Sequence, residues 1–289
     1  MEITRPVFGR YRSAIVGLIS GTGISDDCGY IEMKSIGNIL RRWNLRRILR
    51  RNQIPQPVWH GVTRQIKVLQ GLDAVQMAHL RELTTWFLHS KGINGVQGLE
   101  VTFEMRVAVA AQACLLILNL DTDYFDDWVE VVLYPDAFRV NHQRVDALGL
   151  LHNEANELTG EAWLRGPVVL SWADVERDSY HSQSGHNVVL HEFAHKLDGL
   201  NGVANGLPPL RRGMKLKKWA EDFSVAYDAL CMQVVAGEAA CINPYAATNP
   251  AEFFAVTTEY FFTAPDILKN CYPGVHEQLA LFYRQATVR

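Results

Sequence analysis

Apolar residues return at helical spacing through much of this chain. Leu69, Leu72, Val75, Met77, Leu80, Leu83, Trp86, Phe87 and Leu88 recur every few positions, which predicts a helix from about residue 63 to about residue 90. Thr102 is a ready N-cap for a second helix reaching Leu118, and the uncharged run over residues 107–120 reads as a buried core helix. That run falls short of the ~18 residues a membrane span requires. Residues 129–135 (VEVVLYP) alternate loosely and are rich in β-branched side chains, so they predict a strand. Extended chain is expected to continue over 137–140, and residues 166–172 (GPVVLSW) predict a further strand. A polar loop is expected over 174–185 and a Gly-, Pro- and Asn-rich loop over 201–213. Residues 215–235 read as an amphipathic helix, and Pro273 and Gly274 precede a final helix carried to Arg289.

One stretch breaks the ordinary division of apolar inside and polar outside. Residues 187–199 (NVVLHEFAHKLDG) are apolar nearly all round, through Val188, Val189, Leu190, Phe193, Ala194 and Leu197, yet they carry two histidines and a glutamate. Such groups are costly to bury unless they bind something. At about 100° and 1.5 Å per residue, His191 and His195 lie one turn apart on one face and can grip a single cation. Zinc favours imidazole nitrogen. Glu192 is rotated to the side, where a carboxylate can take the proton of an attacking water. Asp198 shares the histidine face and is placed to orient a ligand imidazole, and Gly199 is a plausible stop for the helix.

A catalytic zinc takes three protein ligands and leaves one position for water. The third is expected downstream, in residues 245–262 (YAATNPAEFFAVTTEYFF), where Asn249 is an N-cap and Pro250 fits the first helical position. Glu252 and Glu259 stand seven apart on one face of that helix. One reads as ligand and the other as its supporting partner, although a solvent-facing role also fits Glu259. His181 and His186 lie outside the His-Glu-x-x-His spacing and read as loop histidines.

The pairing of HEFAHKLDGLNG with YAATNPAEFFAVTTEYFF resembles the Mlc titration factor A peptidases, bacterial gluzincins, and its second half is similar to the metalloprotease domain of anthrax lethal factor. The resemblance spans roughly residues 60 to 285. It implies an α+β, zincin-like metallopeptidase fold, mostly helical, with a small mixed sheet beside the active helix. Carried over position by position, it implies zinc ligands His191, His195 and Glu252, general base Glu192, and an oxyanion-assisting tyrosine at Tyr245. Val256 stands where many gluzincins carry an acid, so support of that kind falls to Glu259. The function implied is aminopeptidase-like hydrolysis of peptides, joined to binding of the Mlc repressor. The alternative is a non-catalytic, zinc-containing regulator that only sequesters a transcriptional repressor. The strand over 167–172 is expected at the cleft edge, with the 201–213 loop covering the cleft.

Whole-chain properties narrow the setting. A formal charge of −3 over 289 residues argues against nucleic acid as a general partner. The five cysteines, Cys28, Cys114, Cys231, Cys241 and Cys271, show no CxxC spacing and read as reduced thiols of a cytoplasmic protein. Residues 14–19 (AIVGLI) follow Arg10 and Arg12 but are short and lack a clean cleavage site, which argues against secretion. Arginines at 41, 42, 46, 47, 50 and 51 form a basic amphipathic arm, with Pro55 and Pro57 as a linker after it. The expected division is therefore 1–58 as extension and arm, and 59–289 as the metallopeptidase domain.

Overall fold

The computed structural model describes residues 52–136, 144–145, 151–152, 166–181 and 184–285. The basic arm, the extended segment expected over 137–140 and the last four residues lie outside the described residues. Nine α-helices and five strands follow one another there. They are α1 (Gln56–Thr63), α2 (Ala74–Ser90), β1 (Gly92–Gly95), α3 (Phe103–Leu116), β2 (Glu130–Tyr134), β3 (Arg144–Val145), β4 (Leu151–His152), β5 (Val168–Ser171), α4 (Trp172–Tyr180), α5 (Val188–Asp198), α6 (Leu216–Ala236), α7 (Pro250–Thr263), α8 (Pro265–Cys271) and α9 (Pro273–Tyr283). The fold is mostly helical with a small sheet, as an α+β reading requires. Among the described residues no helix is long and apolar enough to cross a membrane.

Among the described residues the principal sheet is parallel, in the order β1-β2-β5, rather than mixed. The antiparallel pair β3-β4 forms a separate ribbon. β1 escapes sequence reading because Gly-Ile-Asn-Gly has no alternating pattern. Gly95 is needed there: a Cβ would sit 2.0 Å from the carbonyl oxygen of Leu99. Among the described residues β5 is an edge strand, paired only with β2.

Several helix boundaries follow from their caps. The helix expected from residue 63 begins instead at Ala74, because the Asp73 side chain accepts from the Val75 and Gln76 amides while Gln76 returns a bond to the Asp73 amide. A 3-10 turn, Lys67–Leu69, fills the gap before it. Thr102 caps α3 by accepting from Met105 at 3.2 Å. Pro55 and Pro57 open α1 rather than forming a linker, and Ile54 and Trp59 are both buried in the core. The polar loop expected over 174–185 is largely α4. Ser171 caps it by accepting from Asp174, and it buries only Val175, Asp178 and Ser179, so its outward face reads as polar. The final helix stops at Tyr283, where Arg284 turns left-handed (φ 51°).

α5 is enclosed by α7, α3, α4 and β5. Its back face inserts Phe193 into a cage of Phe87, Phe125 and Trp128, with ring centroids 5.3 to 5.8 Å apart. α7 is pinned from both ends. Phe253 and Phe254 meet Phe223 and the Trp219 ring stacked on it, and Phe261 stacks on Tyr283. Losing one such buried ring costs about 3–5 kcal/mol, so two helices anchored by several hold a rigid relative position.

The reduced-thiol reading is corrected for two cysteines. Cys241 and Cys271, 30 positions apart in sequence, form a disulfide with Cα atoms 6.3 Å apart, while Cys114 and Cys231 are not in a disulfide. Spacing could not reveal this pair because the chain running through α7 and α8 brings the two cysteines together only in three dimensions. Cys271→Ser is expected to cost about 3–4 kcal/mol under oxidising conditions, from restored chain entropy in the unfolded state. Denaturant unfolding with and without a thiol reductant checks this, and the reductant should erase the difference between the two proteins.

Candidate metal centre

The front of α5 carries what its back leaves free. Asn187 caps the helix, accepting from the Leu190 amide at 2.9 Å, and the chain then exposes His191, Glu192 and His195 only partly. Gly199 does not stop the helix alone. A 3-10 turn continues to Asn201, and Gly202, at φ 91°, makes the left-handed exit.

α7 lies against this face and presents Glu252 from its first turn. Asn249 caps that turn by accepting from the Glu252 amide at 3.0 Å. His191 Nε2 lies 3.1 Å from Glu252 Oε2, His195 Nε2 lies 3.4 Å from the same oxygen, and the two imidazole nitrogens are 3.2 Å apart. A tetrahedral zinc with ligands at about 2.0–2.1 Å holds neighbouring donor atoms about 3.3 Å apart. The three atoms therefore form one face of such a tetrahedron. They are the group among the described residues whose donors converge tightly enough to hold a metal ion.

The protonation chemistry of the trio also fits a cation. Glu259 lies 2.8 Å from His191 Nδ1, so the other ring nitrogen, Nε2, faces Glu252 and His195. Burial disfavours a charged His191, but Glu259 and Glu252 outweigh it and raise its pKa well above the usual imidazole value. Burial alone would raise the Glu252 carboxyl, yet the bonds from His191 and His195 hold it well below the ordinary carboxylate range. The carboxylates of Glu252 and Glu259 thus favour positive charge beside His191. A metal ion satisfies all three at once.

Tyr245 and Glu192 stand at the rim. Tyr245 sits in a 3-10 turn, Pro244–Ala247, whose start is fixed by Asn243 accepting from the Tyr245 amide at 3.0 Å. Its ring lies 6.2 Å from that of His191, and its hydroxyl is hydrogen-bonded to Glu252. Burial, and then the charges of Glu252, Glu192 and Glu259, push the phenol well above its usual pKa, so it remains a donor at neutral pH. The charge of Glu192 is felt by His191, Tyr245 and Lys196 together. Burial lowers Lys196 to about 8, and its ammonium donates to the Gly166 carbonyl just before β5.

Two expectations about supporting residues are revised. Asp198 does not orient an imidazole. It is fully buried and accepts from the Gly206 amide at 2.8 Å, tying the 201–213 loop to the end of α5, while burial raises its carboxyl to about 7. The orienting role falls to Glu259, which is buried rather than solvent-facing. His181 is exposed at the end of α4 and His186 is half-buried, and neither joins the trio. Gly185, at φ 79°, packs against Tyr260 so closely that a Cβ would lie 2.2 Å from the ring, and the Tyr260 hydroxyl accepts from Asn243, the residue that fixes the Tyr245 turn.

Sequence comparison places this centre in context. A protein of Klebsiella pneumoniae strain MGH 78578 named Mlc titration factor A is 39% identical over 225 residues, covering 76% of this chain and 83% of its own length. A Serratia proteamaculans protein of that name is 38% identical over 76% of this chain and 84% of its own length. One from Escherichia fergusonii is 37% identical over 81% of this chain and 88% of its own. Residues 40–284 match the family described as glucose-regulated metallo-peptidase M90, and the chain belongs to that family.

Proposed function

We propose that this protein is a zinc-dependent peptidase of zincin-like fold, with His191, His195 and Glu252 as the metal ligands. The observation that carries the reading is the tetrahedral spacing of those donors, with a carboxylate and a protonated phenol beside them. A zinc ion bound there would polarise the scissile carbonyl and acidify a water. Glu192 takes the proton of the attacking water and returns it to the leaving amine. Tyr245 releases Glu252 and donates its hydroxyl to the oxyanion that develops on the carbonyl. Glu259 keeps the His191 ring in one tautomer throughout. A purely structural site needs neither a base nor an oxyanion donor, and the presence of Glu192 and Tyr245 beside the three donors supports the catalytic reading. The substrates proposed are short peptides, cleaved in an aminopeptidase-like manner.

A second reading rests on the relatives' name, Mlc titration factor A, and gives this chain a repressor as partner. A transcriptional repressor is met in the cytoplasm, where thiol pools keep most cysteines reduced. The redox state of Cys241 and Cys271 in freshly quenched cells therefore bears on that reading.

Metal analysis of chain purified without chelator, paired with hydrolysis of unblocked and N-blocked peptides, tests the main proposal. About one equivalent of zinc and chelator-sensitive cleavage are expected. Zinc retained in full after His191→Ala and His195→Ala together would overturn the site.

A further inference from the structure

The run from Val107 to Leu118, most of it in α3, is buried throughout and apolar except at one position. Gln112 stands in that run with no exposed surface. A buried primary amide is costly unless every donor and acceptor is matched, so its partners reveal what it serves. Its Nε2 donates to the Ala108 carbonyl at 3.1 Å and to Ser179 Oγ of α4 at 2.8 Å. Its Oε1 accepts from Asn187 Nδ2 at 2.7 Å. Asn187 is the N-cap of the metal helix, and its backbone amide donates to Glu259 Oε2 at 2.5 Å. The other oxygen of Glu259 meets His191 Nδ1 at 2.8 Å. A line of hydrogen bonds, buried as far as Glu259, thus runs from Ser179 through Gln112, Asn187 and Glu259 to the His191 imidazole.

We infer that Gln112 is a positioning residue for the metal centre, acting through Asn187 and Glu259 on His191; this rests on the metal-site reading proposed above. The reasoning is geometric. Glu259 reaches α5 from α7 and could rock with that helix, but its second oxygen is held by the Asn187 amide. Asn187 in turn is free to rotate about its side chain unless both ends of its amide are engaged. Its Oδ1 is engaged by the cap on Leu190 and its Nδ2 by Gln112. Gln112 sits on a helix with no exposed residue in that run, a platform packed on every side. The relay therefore transfers the rigidity of α3 to the orientation of one imidazole. Outer partners of metal-bound histidines commonly govern affinity in this way.

The test measures zinc affinity by competition with a chromogenic chelator and records the visible absorption of the Co²⁺-loaded protein. Apo-protein thermal unfolding is followed alongside. Gln112→Met keeps the length and volume of the side chain but removes both polar atoms. It is expected to weaken zinc binding roughly 10-fold and to alter the Co²⁺ spectrum, within the range of about 10–100-fold typical of outer partners. Glu259→Gln is expected to weaken it by a similar or larger factor, because its amide would set a donor against the Asn187 amide. In the Glu259→Gln background Gln112→Met should then add little, since residues acting in one line are not additive. Should Gln112→Met not fold, Gln112→Asn, which draws the amide back by one methylene, carries the same expectation. A variant with a lower unfolding temperature but unchanged zinc affinity and Co²⁺ spectrum would make Gln112 only structural and overturn the inference. Wild-type protein that binds neither ion would instead overturn the metal-site reading beneath it.

Discussion

Glu192→Gln is expected to keep its metal and lose peptide hydrolysis by about 10²–10⁴-fold, the usual contribution of a positioned general base. The amide preserves the shape of the side chain and its capacity to hydrogen-bond, so the helix and the three ligand atoms should not move. What it lacks is a basic oxygen to accept the proton of the attacking water. Glu192 is only partly exposed, and it lies close enough to perturb His191, Tyr245 and Lys196. The other two carboxylates of the centre, Glu252 and Glu259, are both engaged with His191. Turnover and zinc content measured on one preparation decide the matter. A variant retaining near wild-type turnover would show that water is activated by another group.

Glu252→Ala is expected to produce the largest loss of metal of any single carboxylate replacement, together with loss of activity. The two acids of α7 approach opposite nitrogens of one imidazole. Glu259 meets Nδ1, whereas Glu252 meets Nε2 and also lies 3.4 Å from the ring nitrogen of His195. Only Glu252 is therefore placed to share an ion with both histidines. Its removal leaves two imidazoles, a weak site for zinc, and frees the Tyr245 hydroxyl from its partner. The loss should exceed the roughly 10–100-fold expected when an outer partner such as Glu259 is changed. Zinc affinities of the two variants measured side by side check the order. The reverse order, with metal lost only on changing Glu259, would assign the ligand to the wrong acid and remove Tyr245 from the site with it.

Much of the local structure could be read from residues alone, and for a common reason. Helical periodicity, Thr102 and Asn249 as caps, and Pro250 at a first turn are properties of a few neighbouring residues. So is the pairing of His191 and His195, one helical turn apart. What misled was also local. The outward face of α4 looked like a loop because the helix buries so few side chains, and β1 had no pattern because its place in the sheet comes from β2.

The candidates for chemistry were thus set by the sequence itself: two histidines and a glutamate inside an apolar segment admit few uses. Which acid faces which nitrogen was decided only by the packing of α7 on α5, fixed by phenylalanines far from the motif. The same holds for Asp198, which shares the histidine face yet turns to the Gly206 amide, and for the Cys241–Cys271 bond. Gln112 shows the division most clearly. Its presence in a buried apolar run marks it as a residue with a partner, since an unpaired amide could not remain there. That the partner leads to His191 depends on contacts from residues 67 and 75 positions away in sequence, and no local rule reaches so far.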